Sequence, residues 1–226
     1  MKLLPCGDSA VSVRFGERID PGVHARVMAF ARAVEQAAIP GVVGLVPSYC
    51  ALMALYDPLA LPFDELAQKL FALKPGEAAG EESADVVELP VCYGGEFGPD
   101  LDFVAQRAGL RVEEVVRIHS GVDYPIYMLG FTAGFPYLGG MDERLAVPRL
   151  DTPRTLVAAG SVGIAGAQTG VYPVASPGGW RIVGRTPAKL YDPAREEPFL
   201  LRAGQKLRFV PVGAAEFARL IEEEGR

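Results

Sequence analysis

Apolar positions follow two regimes along the chain. Up to Ser120 they repeat with a period of a strand or of a helix, and beyond it they come in short runs cut by glycine and proline. SAVSVRF (9–15) alternates apolar and polar residues, as a half-buried strand does. In GVHARVMAFARAVEQAA the spacing changes, and Val23, Val27, Phe30, Ala31 and Val34 line one face of a helix. Asp20 occupies the N-cap position, Pro21 suits the first helical residue, and Pro40-Gly41 marks the expected end. VVGLVP and YCALMALYD, within 42–57, predict two strands or one bent strand, and PFDELAQKLFAL (62–73) predicts a second amphipathic helix.

KPGEAAGEESAD (74–85) is small, acidic and without an apolar anchor, the composition of a linker. VVELPVCY after it reads as a strand that either closes the first unit's sheet or opens the next. The expected organisation is therefore an α+β N-terminal domain over 1–85, two-layered and of split-βαβ type, followed by a second domain over 86–226. LDFVAQRAGLRVEEVVRIHS (101–120) predicts two short helices around Gly109. Residues 121–187 hold 12 of the 26 glycines and seven prolines, set among β-prone pieces: YPIYMLGF, SVGIAG, WRIVGRT and KLYD. Many short strands separated by such turns predict an all-β barrel or sandwich. LRFVPV (207–212) supplies its last strand, and AAEFARLIEEEGR a terminal helix.

Composition narrows the functional classes. Half the residues are hydrophobic and 22% are charged, so a packed core is expected rather than disorder. No apolar run is long enough to span a bilayer, and the N-terminus lacks the pattern of a signal peptide, so no membrane association is expected and a cytoplasmic location is. A net charge of −6 argues against nucleic acid as partner. Yet between His119 and Tyr191 six Lys/Arg stand against four Asp/Glu, a local excess suited to a small anionic ligand. Cys6, Cys50 and Cys92 have no CxxC spacing, and His24 and His119 are the only histidines, so no metal site is expected. Asparagine is absent, a bias that both heat tolerance and genome composition produce.

Three constellations could carry chemistry. His119 ends a helical segment just before the glycine-rich region, where a loop can face a cleft; a helix C-terminal histidine favoured by the macrodipole is the plain alternative. GSVGIAGAQTG spaces its glycines by three, three and four, either as backbone N–H nests for an anion or as barrel turns. SPGGW delivers Trp180, the sole tryptophan, to the core or to the floor of a pocket with Phe131, Phe135, Tyr137 and Tyr172. Arg149, Arg154, Arg181 and Arg185 are candidate clamps for a carboxylate or phosphate, or solvated surface. There is no GxxxxGK[ST] phosphate loop, and Ala159 replaces the first glycine of a GxSxG elbow.

The strings IHSGVDYPIYMLGFTAGFPYLGGMD, PRLDTPR, AAGSVGIAGAQTGVYPVASPGGWRIVGRTP and KLYDP resemble the family of 5-oxoprolinase B subunits, also called the Kip-type histidine-kinase inhibitors or allophanate hydrolase subunit 1. PCGDSAVSVRFG, VPSYCALMALYDP and LPVCYGGEFGPDLDFVA extend the resemblance over nearly the whole chain. It implies a cyclophilin-like β-barrel as the C-terminal domain, and a complex with the C and A subunits that opens 5-oxoproline to glutamate with ATP, used at the level of the complex. It also implies half of a composite active site shared with the C subunit, as in the two halves of a urea carboxylase carboxyltransferase domain. By this resemblance His119 is the acid/base group, Ser120, Gln168, Thr169 and Tyr172 are polar contacts, Gly178, Gly179 and Trp180 shape the pocket, and Phe131 and Phe135 line it. Arg154 joins them as the substrate clamp. Ala133 and Ala158 stand where the family usually has proline, which bears on loop rigidity rather than on chemistry. The same resemblance admits a regulatory protein that inhibits a sporulation-type histidine kinase, or a carboxyltransferase half working with a biotin carrier; prolyl isomerase activity would rest on fold alone.

Overall fold

The structure is a computed structural model and describes residues 1–73 and 85–224. The expected linker lies, but for Asp85, outside the described residues. The chain divides into two compact units, Met1–Ser83 and Ala84–Arg226.

The first unit runs β1 (Lys2–Pro5), β2 (Ala10–Arg14), α1 (Pro21–Ala37), β3 (Val42–Pro47), β4 (Ala51–Tyr56) and α2 (Phe63–Ala72). Its sheet has the order β1-β2-β4-β3 with every neighbouring pair antiparallel, so β4 separates two parallel strands joined through α1. That is the split-βαβ arrangement. Its fourth strand is β1, whose four residues are too few to alternate legibly, and not the strand after the linker. The Asp20 carboxylate accepts from the Val23 N–H at 2.8 Å, satisfying a donor the helix leaves unpaired, which stabilises it by about 1 kcal/mol. α1 stops short of Pro40, because Ala38 turns into the left-handed region at φ 44° and its N–H returns to the Glu35 carbonyl. Val27, Phe30 and Val34 of α1 and Leu66 and Leu70 of α2 bury against Val11, Val13, Leu52 and Ala54, each contributing about 2 kcal/mol.

The second unit begins with β5 (Val86–Tyr93), α3 (Leu101–Ala108), α4 (Val112–Ser120), β6 (Asp123–Leu129) and β7 (Pro136–Leu138). It continues with β8 (Arg154–Val157), β9 (Ser161–Ala165), β10 (Gln168–Val171), β11 (Ser176–Gly178), β12 (Arg181–Arg185), β13 (Lys206–Pro211) and α5 (Ala214–Glu224). Seven strands form one sheet in the order β10-β9-β12-β5-β13-β6-β7, and only β5 and β13 pair in parallel. The two end strands, β10 and β7, lie against each other, so the sheet is nearly closed into a barrel. β8 and β11 form a separate two-stranded ribbon. KLYD, expected as a strand, makes only an isolated bridge between Tyr191 and Phe199. The strand after the linker belongs here, between β12 and β13.

Side chains alternate across the sheet and feed two cores. On β9, Val162 and Ile164 join Leu89, Val91, Leu207 and Phe209 in the larger core, which Val104 and Ala105 of α3 and Val115 of α4 also enter. Ala165 of the same strand packs on the opposite face with Phe135, Tyr172, Trp180 and Ile182.

Candidate functional site

The β9–β10 hairpin, SVGIAGAQTGV, carries the candidate residues, and the two-residue period sorts them onto different faces. Thr169 points into the larger core. Its hydroxyl donates to the Gly163 carbonyl at 3.1 Å, which leaves a lone pair for the Nε2–H of His119 at 2.8 Å. With that tautomer set, the bare Nδ1 of His119 accepts from the Tyr93 hydroxyl at 2.7 Å. The Tyr124 hydroxyl donates to the His119 carbonyl at 2.7 Å, and the imidazole stacks on Phe209 with ring centres 4.7 Å apart.

His119 is 0% exposed, and burial lowers its pKa to about 3, so the ring is neutral. Burial likewise raises the Tyr93 hydroxyl above its ordinary value. The expectation of an acid/base group facing a cleft is corrected here. α4 presents Val115 and His119, one turn apart, on the same buried stripe, and both ring nitrogens are engaged inside the protein. Ser120, the last residue of the helix, is half-buried beside it.

On the other face lies an aromatic layer. Phe135 meets Tyr137, Tyr172 and Trp180 edge to face with centroids 5.3, 5.7 and 5.5 Å away. A Cβ at Gly170 would fall 2.8 Å from the Phe135 ring, and one at Gly178 would fall 2.3 Å from the Tyr172 hydroxyl. Glycine at these places lets the aromatic side chains approach the backbone more closely than any other residue would allow. Trp180, 9% exposed, is part of this layer rather than of the larger core. The Tyr172 hydroxyl hydrogen-bonds the Trp180 backbone; burial raises its pKa, and Arg149 and Arg154 partly offset that. Gln168 is half-buried at the start of β10, and Gly179 holds the Leu150 N–H through its carbonyl at 2.8 Å.

Arg154 is not an open clamp. Its guanidinium bonds Asp100 at 2.9–3.0 Å and the Trp180 carbonyl at 3.3 Å. The buried Asp100 also accepts from the Ile182 N–H at 2.6 Å and lies 3.8 Å from Arg181, whose guanidinium rests 3.8 Å over the Phe103 ring. Arg185 is turned to the Ala159 carbonyl at 2.9 Å. Asp100 and Tyr93 are thus the organising residues that sequence reasoning missed. Asp100 looks like an N-cap of α3, but its side chain caps nothing there and reaches 82 positions along the chain instead. The unanswered charge of Arg154 and Arg181 was the signal that could have found it.

His119 and the aromatic layer therefore lie on opposite faces of one hairpin and do not converge on a common ligand position. Two shallow depressions, of about 530 and 550 Å³, lie elsewhere, one beside Val34 and Leu45 and the other between β5 and α5; neither includes a residue of the layer. Among the described residues no group of His, Cys, Asp and Glu could hold a metal ion, and no helix is long and apolar enough to cross a membrane.

Comparison with known proteins places this arrangement. The family profile described as carboxyltransferase domain, subdomain C and D, matches residues 1–201. The 5-oxoprolinase B subunit of Bacillus subtilis (strain 168) is 43% identical over 229 residues, 96% of this chain and 95% of that protein. That of Escherichia coli O157:H7 is 43% identical over 206 residues, 91% of this chain and 93% of its own length. The crystal structure of TTHA0988 superposes with a TM-score of 0.80 at 41% identity, covering 91% of this chain but only 40% of that longer one.

Proposed function

The chain belongs to the family of 5-oxoprolinase B subunits, within the carboxyltransferase-domain family of subdomains C and D, and from that premise we propose that it is the B subunit of an ATP-dependent 5-oxoprolinase. It works with the A and C subunits, and its barrel, of cyclophilin-like type, supplies half of a composite site for 5-oxoproline. The observation that carries this reading is the aromatic layer around Trp180. Its rings are packed and backed by glycines, with Trp180 9% exposed at its edge, and the marked depression of the second unit does not include it, as expected of one wall of a site completed by another chain. Phe135, Tyr172, Gly178, Gly179 and Trp180 form that wall, with Gln168 and Arg154 at its polar margin. An apolar wall excludes water from a lactam and lets donors of the facing protein act at low dielectric.

His119 serves this wall from behind. Its Nε2–H tautomer fixes Thr169, and thereby the strand on which Gly170 receives Phe135. Arg154, Arg181 and Arg185 are engaged by protein acceptors, and the sequence holds no GxxxxGK[ST] phosphate loop, so ATP enters this reading at the level of the complex.

An omit-one reconstitution tests the proposal. The chain is purified with the A and C subunits of its source and supplied with ATP and 5-oxoproline, and glutamate is assayed with each component left out in turn. Glutamate that needs all three proteins and ATP is the expected result. Equal glutamate without this chain would overturn the reading and bring a regulatory, kinase-inhibiting role forward.

A further inference from the structure

The loop between β6 and β7, Gly130–Gly134, holds a conformation that its sequence does not favour. Phe131 has φ 64°, and Ala38 is the only other non-glycine residue with positive φ among those described. The Thr132 N–H bonds the Gly130 carbonyl at 2.7 Å, closing a three-residue turn centred on Phe131. With a positive central φ this is the strained form of that turn, and a bulky side chain makes it more so. Beside it the Thr132 hydroxyl is buried without a hydrogen-bond partner among the described residues. The result of all this is a phenyl ring 73% exposed, propped edge-on against Phe135 at 5.9 Å.

Glycine would take that backbone freely, and glycines stand at both ends of the loop. The position carries phenylalanine instead, so the ring rather than the turn is what the loop delivers. An exposed aromatic on a strained support is unfavourable in the free chain on both counts, and covering the ring offsets both. Aromatic residues, phenylalanine among them, are enriched at protein interfaces, where a few buried anchors carry most of the binding energy.

We infer that Phe131 is the anchor by which this chain seats on the subunit that completes its site, a ring received by an apolar hollow on that partner. This rests on the composite-site reading above. The occupant is a protein rather than a small ligand, because the side chain stands exposed and the marked depression of the same unit does not include it. A polypeptide partner also fits the relation to TTHA0988, in which more than half of the chain lies outside the region that this one matches.

The test uses the full chain, titrated with the C subunit of the same source by calorimetry, together with thermal unfolding of the free chain. Phe131→Ala is expected to weaken binding at least about tenfold. Phe131→Gly should weaken it as much while raising the Tm of the free chain, because glycine relieves the turn. Leu59→Ala, which truncates a side chain 96% exposed in the first unit, should leave the affinity unchanged. A wild-type complex whose affinity is the same with Phe131→Ala would overturn the anchor and leave the subunit reading intact. A fall in Tm for Phe131→Gly would remove the strain on which the inference stands. A wild-type dimer that Phe131→Ala converts to monomer would make a second copy the occupant and overturn the assignment. No wild-type binding at all to the C subunit would overturn the subunit reading together with the anchor.

Discussion

At the scale of single residues the most informative group is His119, because its environment fixes its charge. The ring is sealed, holds no proton on Nδ1, and has a pKa of about 3 where an unfolded chain would show about 6.5. Below pH 6.5 the unfolded state therefore binds a proton that the folded state refuses. Stability from this residue is fully present above pH 6.5 and declines as pH falls towards 3, by about 1.4 kcal/mol per unit. His119→Gln cannot titrate, and loses about 2–3 kcal/mol at pH 7 through imperfectly replaced hydrogen bonds. Urea unfolding at pH 7 and pH 5 should show the gap between wild type and variant narrow by about 2 kcal/mol. A constant gap would mean that the folded protein protonates the ring, and the sealed description would fail. The sequence marked His119 as unusual by its place before the glycine-rich region. It could not show why, because Tyr93 and Thr169 lie 26 and 50 positions away and meet the ring only once the barrel is closed.

At the scale of elements the hairpin of β9 and β10 is where glycine decides packing. Gly170→Ala would place a methyl group 2.8 Å from the Phe135 ring and 3.3 Å from the Pro136 carbonyl. Overpacking of this kind costs about 1–3 kcal/mol. Since Phe135 abuts Trp180, the only tryptophan, the emission spectrum should shift as the layer is displaced. Gly166→Ala, at φ 56° in the turn and with open space around it, should cost stability without moving the spectrum. Equal spectra for the two variants would remove the close-packing account of Gly170. Elements with a long period were legible before any coordinates: α1 with its Asp20 cap, α2, the helix pair around Gly109, and β2, β4 and β9. β7, β8, β10 and β11 were not, because three or four residues such as SPG or QTGV carry no period. Their pairing comes from strands already in place, not from their own pattern.

At the scale of the whole molecule, the chemistry implied by the family exceeds what this surface offers alone. The described residues provide a buried aromatic layer around Trp180, arginines held by Asp100 and backbone carbonyls, and a neutral histidine sealed on the other face of the same hairpin. On the proposed reading the layer would touch one side of a ring the size of 5-oxoproline, whereas a closed site buries most of a ligand's surface. With one side of the ligand left in water, too little attraction remains to offset the cost of immobilising it. Titrating 5-oxoproline into the isolated chain while following Trp180 emission should therefore give no saturation up to about 10 mM, a range weaker than about 3 kcal/mol of binding. The same titration with the C subunit present should saturate in the range of ordinary enzyme substrates, at or below about 1 mM. Saturable sub-millimolar binding to this chain alone would mean that it closes a site by itself, and the division of the active site between two proteins would have to be abandoned.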